Sequence, residues 1–158
     1  MAIGIDDATD RDWMVIMEAQ KLTAWEHLGP EQQSRAEWAA VADRAVERVN
    51  RIKGEEGSPN DAFVARSEDG EMAGYVWVME ESSDAAARRQ AVVLDLFVAE
   101  AFRGQGLEKR LLRVAEDWGK IRGCVEVGVT LAAHHEEARH LYESQGYSTQ
   151  SLELGKAL

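Results

Sequence analysis

Val92 to Val98 is an apolar run broken only by Asp95, and a few residues later Leu107, Leu111, Ala115, Trp118 and Ile121 fall on one helical stripe. Arg103-Gly-Gln-Gly106 fills the gap between them. A strand, a glycine turn and an amphipathic helix in about thirty residues commit this part of the chain to a helix packed on a sheet. Backbone amides freed by such a turn, added to the positive end of the helix dipole, form a cradle for an anion. The glycines by themselves fit a plain strand-to-helix turn equally well, because glycine tolerates positive φ. What lies downstream has to decide between the two.

The remaining pattern alternates between helical and extended periods. Ala2 to Asp6 suits a short strand, and Thr9-Asp-Arg-Asp12 resembles a capping box opening a helix that runs to about Trp25. Gly29-Pro30 breaks that helix. A second helix is expected from about Glu31 to Ile52, with Trp38, Val41, Ala45, Val46 and Val49 at helical spacing. Lys53 to Asn60 reads as a loop. Two strands, beginning at Phe63 and spanning Met72 to Met79, flank the turn signal Asp69-Gly70. Glu81 to Gln90 reads as a polar connection into the strand ending at Val98. Gly123 closes the following helix, Val125 to Leu131 alternates as a strand, and Glu136 to Ser144 is a short helix closed by Gly146. Tyr147 to Leu154 is expected as a last strand. The implied fold is α/β (α+β): residues 1–158 as one domain, with a mixed, mostly antiparallel central sheet and helices on both faces.

With 158 residues, 45% of them apolar and 30% charged, the chain has the composition of a globular protein with a real core. No apolar run approaches the length of a bilayer span, and the first residues lack the basic and apolar regions of a secretion signal, so a cytoplasmic, membrane-free protein is expected. A single cysteine, Cys124, excludes an internal disulfide framework and a cysteine-rich metal site. The net charge of −11 argues against sequence-independent nucleic-acid binding and is compatible with a cationic small-molecule or protein substrate. Glu55-Glu56, Glu80-Glu81 and Glu136-Glu137 read as solvated faces. Trp38, Trp77 and Trp118 read as core.

The element order, together with Arg103-Gly-Gln-Gly-Leu-Glu108 and Ala138-Arg-His-Leu-Tyr-Glu-Ser-Gln-Gly-Tyr147, resembles the GNAT superfamily of acyl-CoA-dependent N-acetyltransferases over nearly the whole chain. The resemblance implies acetyl-CoA as co-substrate, no metal, and a small-molecule or protein amine as acceptor. Because the first two helices border the acceptor pocket in the family, it also implies that Trp25 could line that pocket, with Glu26, His27 and the Glu80-Glu81 pair lending it negative character. It is also compatible with a homodimer. It places the pantetheine arm along Leu96, Phe97 and Val98, and the pyrophosphate on Arg103, Gly104, Gln105, Gly106, Leu107 and Glu108. The last of these departs from the family's small residue. At an effective dielectric near 20, two unit charges about 6 Å apart repel by roughly 3 kcal/mol before screening. Lys109 and Arg110 could offset part of that.

The same resemblance makes Tyr142 the general acid that protonates the departing thiolate. His135, where the family commonly has asparagine, becomes a cofactor contact that can also titrate near neutrality. Asp95 is a carboxylate within an apolar strand, which is unusual without partners. It is a candidate general base acting through water, a candidate holder of a substrate ammonium, or a structural ion pair. Strand alternation would put Asp95 and Phe97 on one face and Leu94, Leu96 and Val98 on the other. The expected activity is direct acetyl transfer to a primary amine. The alternative is a non-catalytic or regulatory module that binds coenzyme A or a partner on the same fold.

Overall fold

The computed structural model describes residues 2–54, 57–83 and 88–158. Five strands lie side by side in chain order: β1 (Gly4–Asp7), β2 (Asn60–Arg66), β3 (Met72–Ser83), β4 (Arg88–Val98) and β5 (Glu126–Val129). All neighbours are antiparallel except β4 and β5, which run parallel. This is the mixed, mostly antiparallel sheet the sequence implies.

One face carries α1 (Asp10–His27) and α3 (Trp38–Lys53). Their apolar stripes, Ile16 on α1 with Val49 and Ile52 on α3, close over Ala62, Val64, Tyr75 and Trp77. The other face carries α4 (Leu107–Ile121). Its Leu107, Leu111, Leu112, Ala115 and Trp118 cover Ala65, Val76, Val78, Ala91 and Val93, with Tyr142 of α5 (Glu136–Ser144) joining that cluster. Alternation along the strands splits each one between the two cores.

Local rules explain the boundaries. The Thr9 hydroxyl accepts the Asp12 amide at 3.3 Å and the Asp12 carboxylate accepts the Thr9 amide at 2.8 Å, so the capping box starts α1 with aspartate in the glutamate's place. Asp12 is buried and pairs with Arg66. Burial opposes its charge, but Arg66 and Thr9 outweigh it and hold the carboxyl below the usual range. Gly70, Gly123 and Gly146 take φ of 80°, 79° and 93° at the turns where the sequence marks a stop.

Four expectations are corrected. The second helix is two pieces: α2 is only Pro30–Gln33, and α3 starts afresh at Trp38 behind an extended Glu37. Proline sets the first turn of α2, but a turn of helix without apolar anchoring does not propagate. The polar stretch from Glu81 to Gln90 is largely strand, since β3 reaches Ser83 and β4 begins at Arg88; the part from 84 to 87 lies outside the described residues. The fourth helix-to-strand return is shorter than expected, with β5 confined to Glu126–Val129. Tyr147 to Leu154 forms no strand, and Leu152 and Leu154 are exposed.

Two side-chain assignments also change. Trp38 is 43% exposed and meets Trp25 edge to face rather than entering the core. Glu80 is buried, with Arg89 at 3.3 Å and Arg122 at 3.0 Å, so it ties β3, β4 and the end of α4 together instead of facing water or an acceptor. Glu55 and Glu56 lie outside the described residues.

Candidate active site

The site grows from one irregularity in β4. Trp77 pairs with Asp95 and the next residue, Val78, pairs with Val93, so Leu94 is an extra residue in the strand. That is a β-bulge, and it puts two consecutive side chains on one face. Leu94 packs with Tyr75 and Trp77 on the α1 side, where Asp95 also reaches its partners. The expected alternation therefore fails at Leu94, while Leu96 and Val98 face the α4 core as expected. The bulge coincides with a parting of strands. Gln90 to Val93 pair with Glu126 to Val129, and beyond Val93 there is no pairing to β5. Leu94 to Val98 thus keeps one hydrogen-bonding edge free among the described residues, which suits an extended ligand that adds as a strand.

Val98 leads into a one-turn 3-10 segment (Glu100–Phe102) and the glycine turn. Gly104 and Gly106 adopt φ of 76° and 77°, and a Cβ at either would meet nothing within 4 Å. The glycines therefore answer a backbone need, and the space above them is open. The first bonded amide of α4 that returns to the turn is Arg110 to the Gly106 carbonyl at 3.3 Å, and no side chain caps the helix. The amides of Leu107, Glu108 and Lys109 lie ahead of that bond and are free for an anion. Arg103 Nε donates to the Val98 carbonyl at 3.1 Å, pinning the turn to the strand end with the rest of its guanidinium exposed. Gln105 is exposed and Leu107 is buried in the α4 core. Glu108 is half-buried in the first turn of α4, where a carboxylate favours the helix but crowds an anion. The Arg110 guanidinium donates to the Ile3 carbonyl at 2.7 Å.

On the other side of the bulge, Asp95 is not a free carboxylate. Its Oδ2 accepts the Tyr75 hydroxyl, Gln20 Nε2 at 2.6 Å and Thr23 Oγ1 at 3.4 Å. Desolvation raises its pKa from the ordinary carboxylate value, against the pull of those donors. The Tyr75 hydroxyl is pushed far up as well, by burial first and then by the Asp95 charge. Sequence reasoning missed Gln20, Thr23 and Tyr75. The available signal was Gln20 itself, a polar residue one turn beyond Ile16 on the buried stripe of α1.

Tyr142 is buried, and its ring meets that of Tyr147 edge to face at 5.2 Å. Its hydroxyl has no hydrogen-bond partner among the described residues. Burial, then the neighbouring Tyr147 and Asp95, push its pKa well above an ordinary tyrosine's, so the value near 10 that the residue type suggests does not apply. Tyr147 is raised too, by burial and by Glu116, which accepts its hydroxyl at 3.2 Å.

His135 occupies the N-cap of α5 without capping it through its side chain. Its ring lies 4.3 Å from that of His134, and His134 Nε2 sits 2.9 Å from the Glu26 carbonyl. The loop before α5 is thereby fastened to the last turn of α1, beside His27.

Cys124 is half-buried against the α4 core, and burial followed by the Glu80 charge raises its thiol pKa, which suits packing better than nucleophilic attack. Among the described residues no cluster of His, Cys, Asp or Glu could hold a metal, and no helix is long and apolar enough to cross a membrane.

The acetyltransferase (GNAT) family model matches residues 18–147. The chain is 26% identical over 92 residues to the uncharacterized N-acetyltransferase YdgE of Bacillus subtilis, covering 58% of this chain and 57% of that one. It is 30% identical over 102 residues to streptothricin acetyltransferase of Streptomyces lavendulae, covering 63% and 52%. The chain thus spans little more than half the length of these curated relatives. Among solved structures, a Pyrococcus furiosus protein provisionally assigned as an acetyl transferase superposes with a TM-score of 0.83 at 23% identity, covering 99% of this chain and all of that one. That likeness bears on the fold.

Proposed function

The chain belongs to the acetyltransferase (GNAT) family, and on that premise we propose that it transfers an acetyl group from acetyl-CoA to a primary amine by direct attack. The observation that carries this reading is the free edge from Leu94 to Val98 running into the glycine turn and the uncapped end of α4. Leu96, Phe97 and Val98 would take the pantetheine amides as an added strand takes its neighbour. Gly104, Gln105, Gly106, Leu107 and Glu108 would offer backbone amides to the pyrophosphate, with Arg103 beside them. His135, at the head of α5, would border the same ligand.

Bound acetyl-CoA supplies the activated thioester carbonyl. Tyr142 remains protonated at neutral pH and donates to the sulfur as negative charge gathers there. Asp95, its Oδ2 already accepting three donors, anchors α1 to the bulge and is the candidate partner of an acceptor ammonium. The acceptor is an amine of a small molecule or protein. Streptothricin is a reasonable first probe, because it is named for a relative.

Calorimetric titration with acetyl-CoA tests the reading, with Glu108→Gly beside the wild type. Micromolar binding by the wild type, and acetyl-CoA consumption with at least one amine in a panel, are the expected results. Binding by neither protein would overturn the assignment of this turn. A second reading has Glu108 in its favour: a half-buried carboxylate at the cradle fits a regulatory module that does not turn over. Binding only after Glu108→Gly would select it.

A further inference from the structure

Building on the transferase reading, we propose that His27, and not Asp95, takes the proton from the acceptor ammonium. Ile16, Gln20, Thr23 and His27 recur at the spacing of one helical face, so the stripe of α1 that grips Asp95 through Gln20 and Thr23 ends in His27. One turn separates Thr23 from His27, about 6 Å along the axis. The imidazole therefore stands at the outer end of the polar line that begins at the β4 bulge. It is exposed, as a group meeting an entering amine must be, and neither ring nitrogen has a hydrogen-bond partner among the described residues. Asp95 is less accessible: Tyr75, Gln20 and Thr23 bond its Oδ2, the Leu96 amide bonds the same carboxylate, and the group is desolvated.

The neighbours of His27 come from three elements. His134 and His135, from the loop that Glu26 holds, and Arg48, from α3, act against its charge, and Glu153, from the C-terminal stretch, acts in favour of it. Desolvation first, then the two histidines and Arg48, keep its pKa below the ordinary 6.5, and Glu153 opposes them only in part. The ring is therefore neutral at pH 7 and ready to accept a proton.

The step balances. A ring nitrogen of His27 takes H⁺ from R–NH₃⁺, and the freed lone pair attacks the thioester carbon. The C–N bond forms and the C–S bond breaks. The departing sulfur is protonated through the Tyr142 hydroxyl, which recovers its proton from the nitrogen of the new amide. Imidazolium releases the original proton to water. One ammonium ion and one thioester yield one amide, one thiol and one proton.

The test compares pH profiles of kcat/KM for the wild type, His27→Gln and Asp95→Asn, using the amine the panel identifies. An enzyme that binds the ammonium and removes its proton gives a bell, with an acid limb from the imidazole and an alkaline limb from the amine. His27→Gln is expected to lose the acid limb, to fall about 100-fold at pH 7, and to keep its KM for acetyl-CoA. Asp95→Asn is expected to keep the limb at a lower plateau. An acid limb that survives His27→Gln and vanishes in Asp95→Asn overturns the proposal.

A second readout needs no substrate. In NMR titrations of the protein alone, the His27 Hε1 resonance should have a midpoint below 6.5, moving toward 6.5 in His135→Gln. A midpoint at or above 6.5, insensitive to His135→Gln, removes the cluster on which the proposal stands. A wild type that binds acetyl-CoA but acetylates no amine overturns the transferase reading itself. Turnover with an unchanged limb in His27→Gln overturns this inference alone.

Discussion

Replacing Gly74 by alanine should damage stability and cofactor binding together, because one backbone contact serves both. Gly74 lies in β3 opposite Val98, at the end of the free edge of β4. A methyl group at Gly74 would stand 2.4 Å from the Phe97 carbonyl oxygen, 3.2 Å from the Val98 Cα and 3.2 Å from Leu111 Cδ1. An ordinary carbon–oxygen contact is nearer 3.3 Å, so about 1 Å of relief is needed, and the obstacle is main chain rather than the tip of a flexible side chain. Overpacking of this kind costs about 1–3 kcal/mol. The smaller entropy of an unfolded alanine returns about 0.4–1 kcal/mol, leaving a net loss of about 1–2 kcal/mol. In a chain this long that lowers Tm by roughly 2–8 °C. The displacement does not stay local, because the Val98 carbonyl receives Arg103 Nε and the Ala99 amide donates to the Ala73 carbonyl at 2.8 Å. Acetyl-CoA affinity should therefore fall by about tenfold, the equivalent of 1.4 kcal/mol. Urea unfolding at constant slope and calorimetric titration measure the two effects, with Gly155→Ala as a control whose added methyl meets nothing within 4 Å. Stability within 0.5 kcal/mol of wild type, or a full loss of stability with unchanged affinity, would refute the coupling.

Other perturbations have narrower readouts. Thr9→Ala removes the cap of α1 and should cost about 1 kcal/mol in urea unfolding, with little effect on acetyl-CoA binding. Gly106→Ala forces a side chain into φ of 77°, costing about 1–2 kcal/mol and weakening acetyl-CoA in calorimetry, even though the added methyl has open space. Tyr75, Tyr142 and Tyr147 all hold their protons more tightly in the folded chain than in the unfolded one. Their stabilisation is complete below pH about 10 and is lost as the pH rises beyond it, so circular-dichroism melts should show Tm falling steeply on the alkaline side.

Period and punctuation made much of the fold readable. Thr9 and Asp12, the spacing of Leu107 to Ile121, and the glycines at 70, 123 and 146 each act through neighbours close in sequence, so their effects could be read locally. Errors arose where distant parts decide. Trp38 fits an apolar stripe, but whether a position on it is covered depends on what crosses it, and Trp38 meets Trp25 edge to face while staying 43% exposed. Glu80 looked like half of a solvated acidic pair because its partners, Arg89 and Arg122, are brought to it by β4 and by the end of α4. Tyr147 to Leu154 alternates like a strand, yet alternation supplies no partner for its backbone.

The candidate site shows the same limit at its sharpest. The glycine turn and Arg103 were legible because a turn is written in consecutive residues. The bulge at Leu94 was not, since nothing in Val92 to Val98 distinguishes a regular strand from one with an extra residue; the register is fixed by β3. That one residue turns Leu94 onto the face of Asp95, whose own direction follows the regular pairing of Trp77 with Asp95. In a regular strand, an aspartate between leucines reads as a lone carboxylate in want of a proton. In the folded sheet it faces α1, where Gln20, Thr23 and Tyr75 bond one of its oxygens. A base must also be reachable by the entering amine, and the same helix stripe presents an exposed imidazole one turn further on, at His27. The choice between these two residues therefore follows from strand register, through side-chain direction, to accessibility.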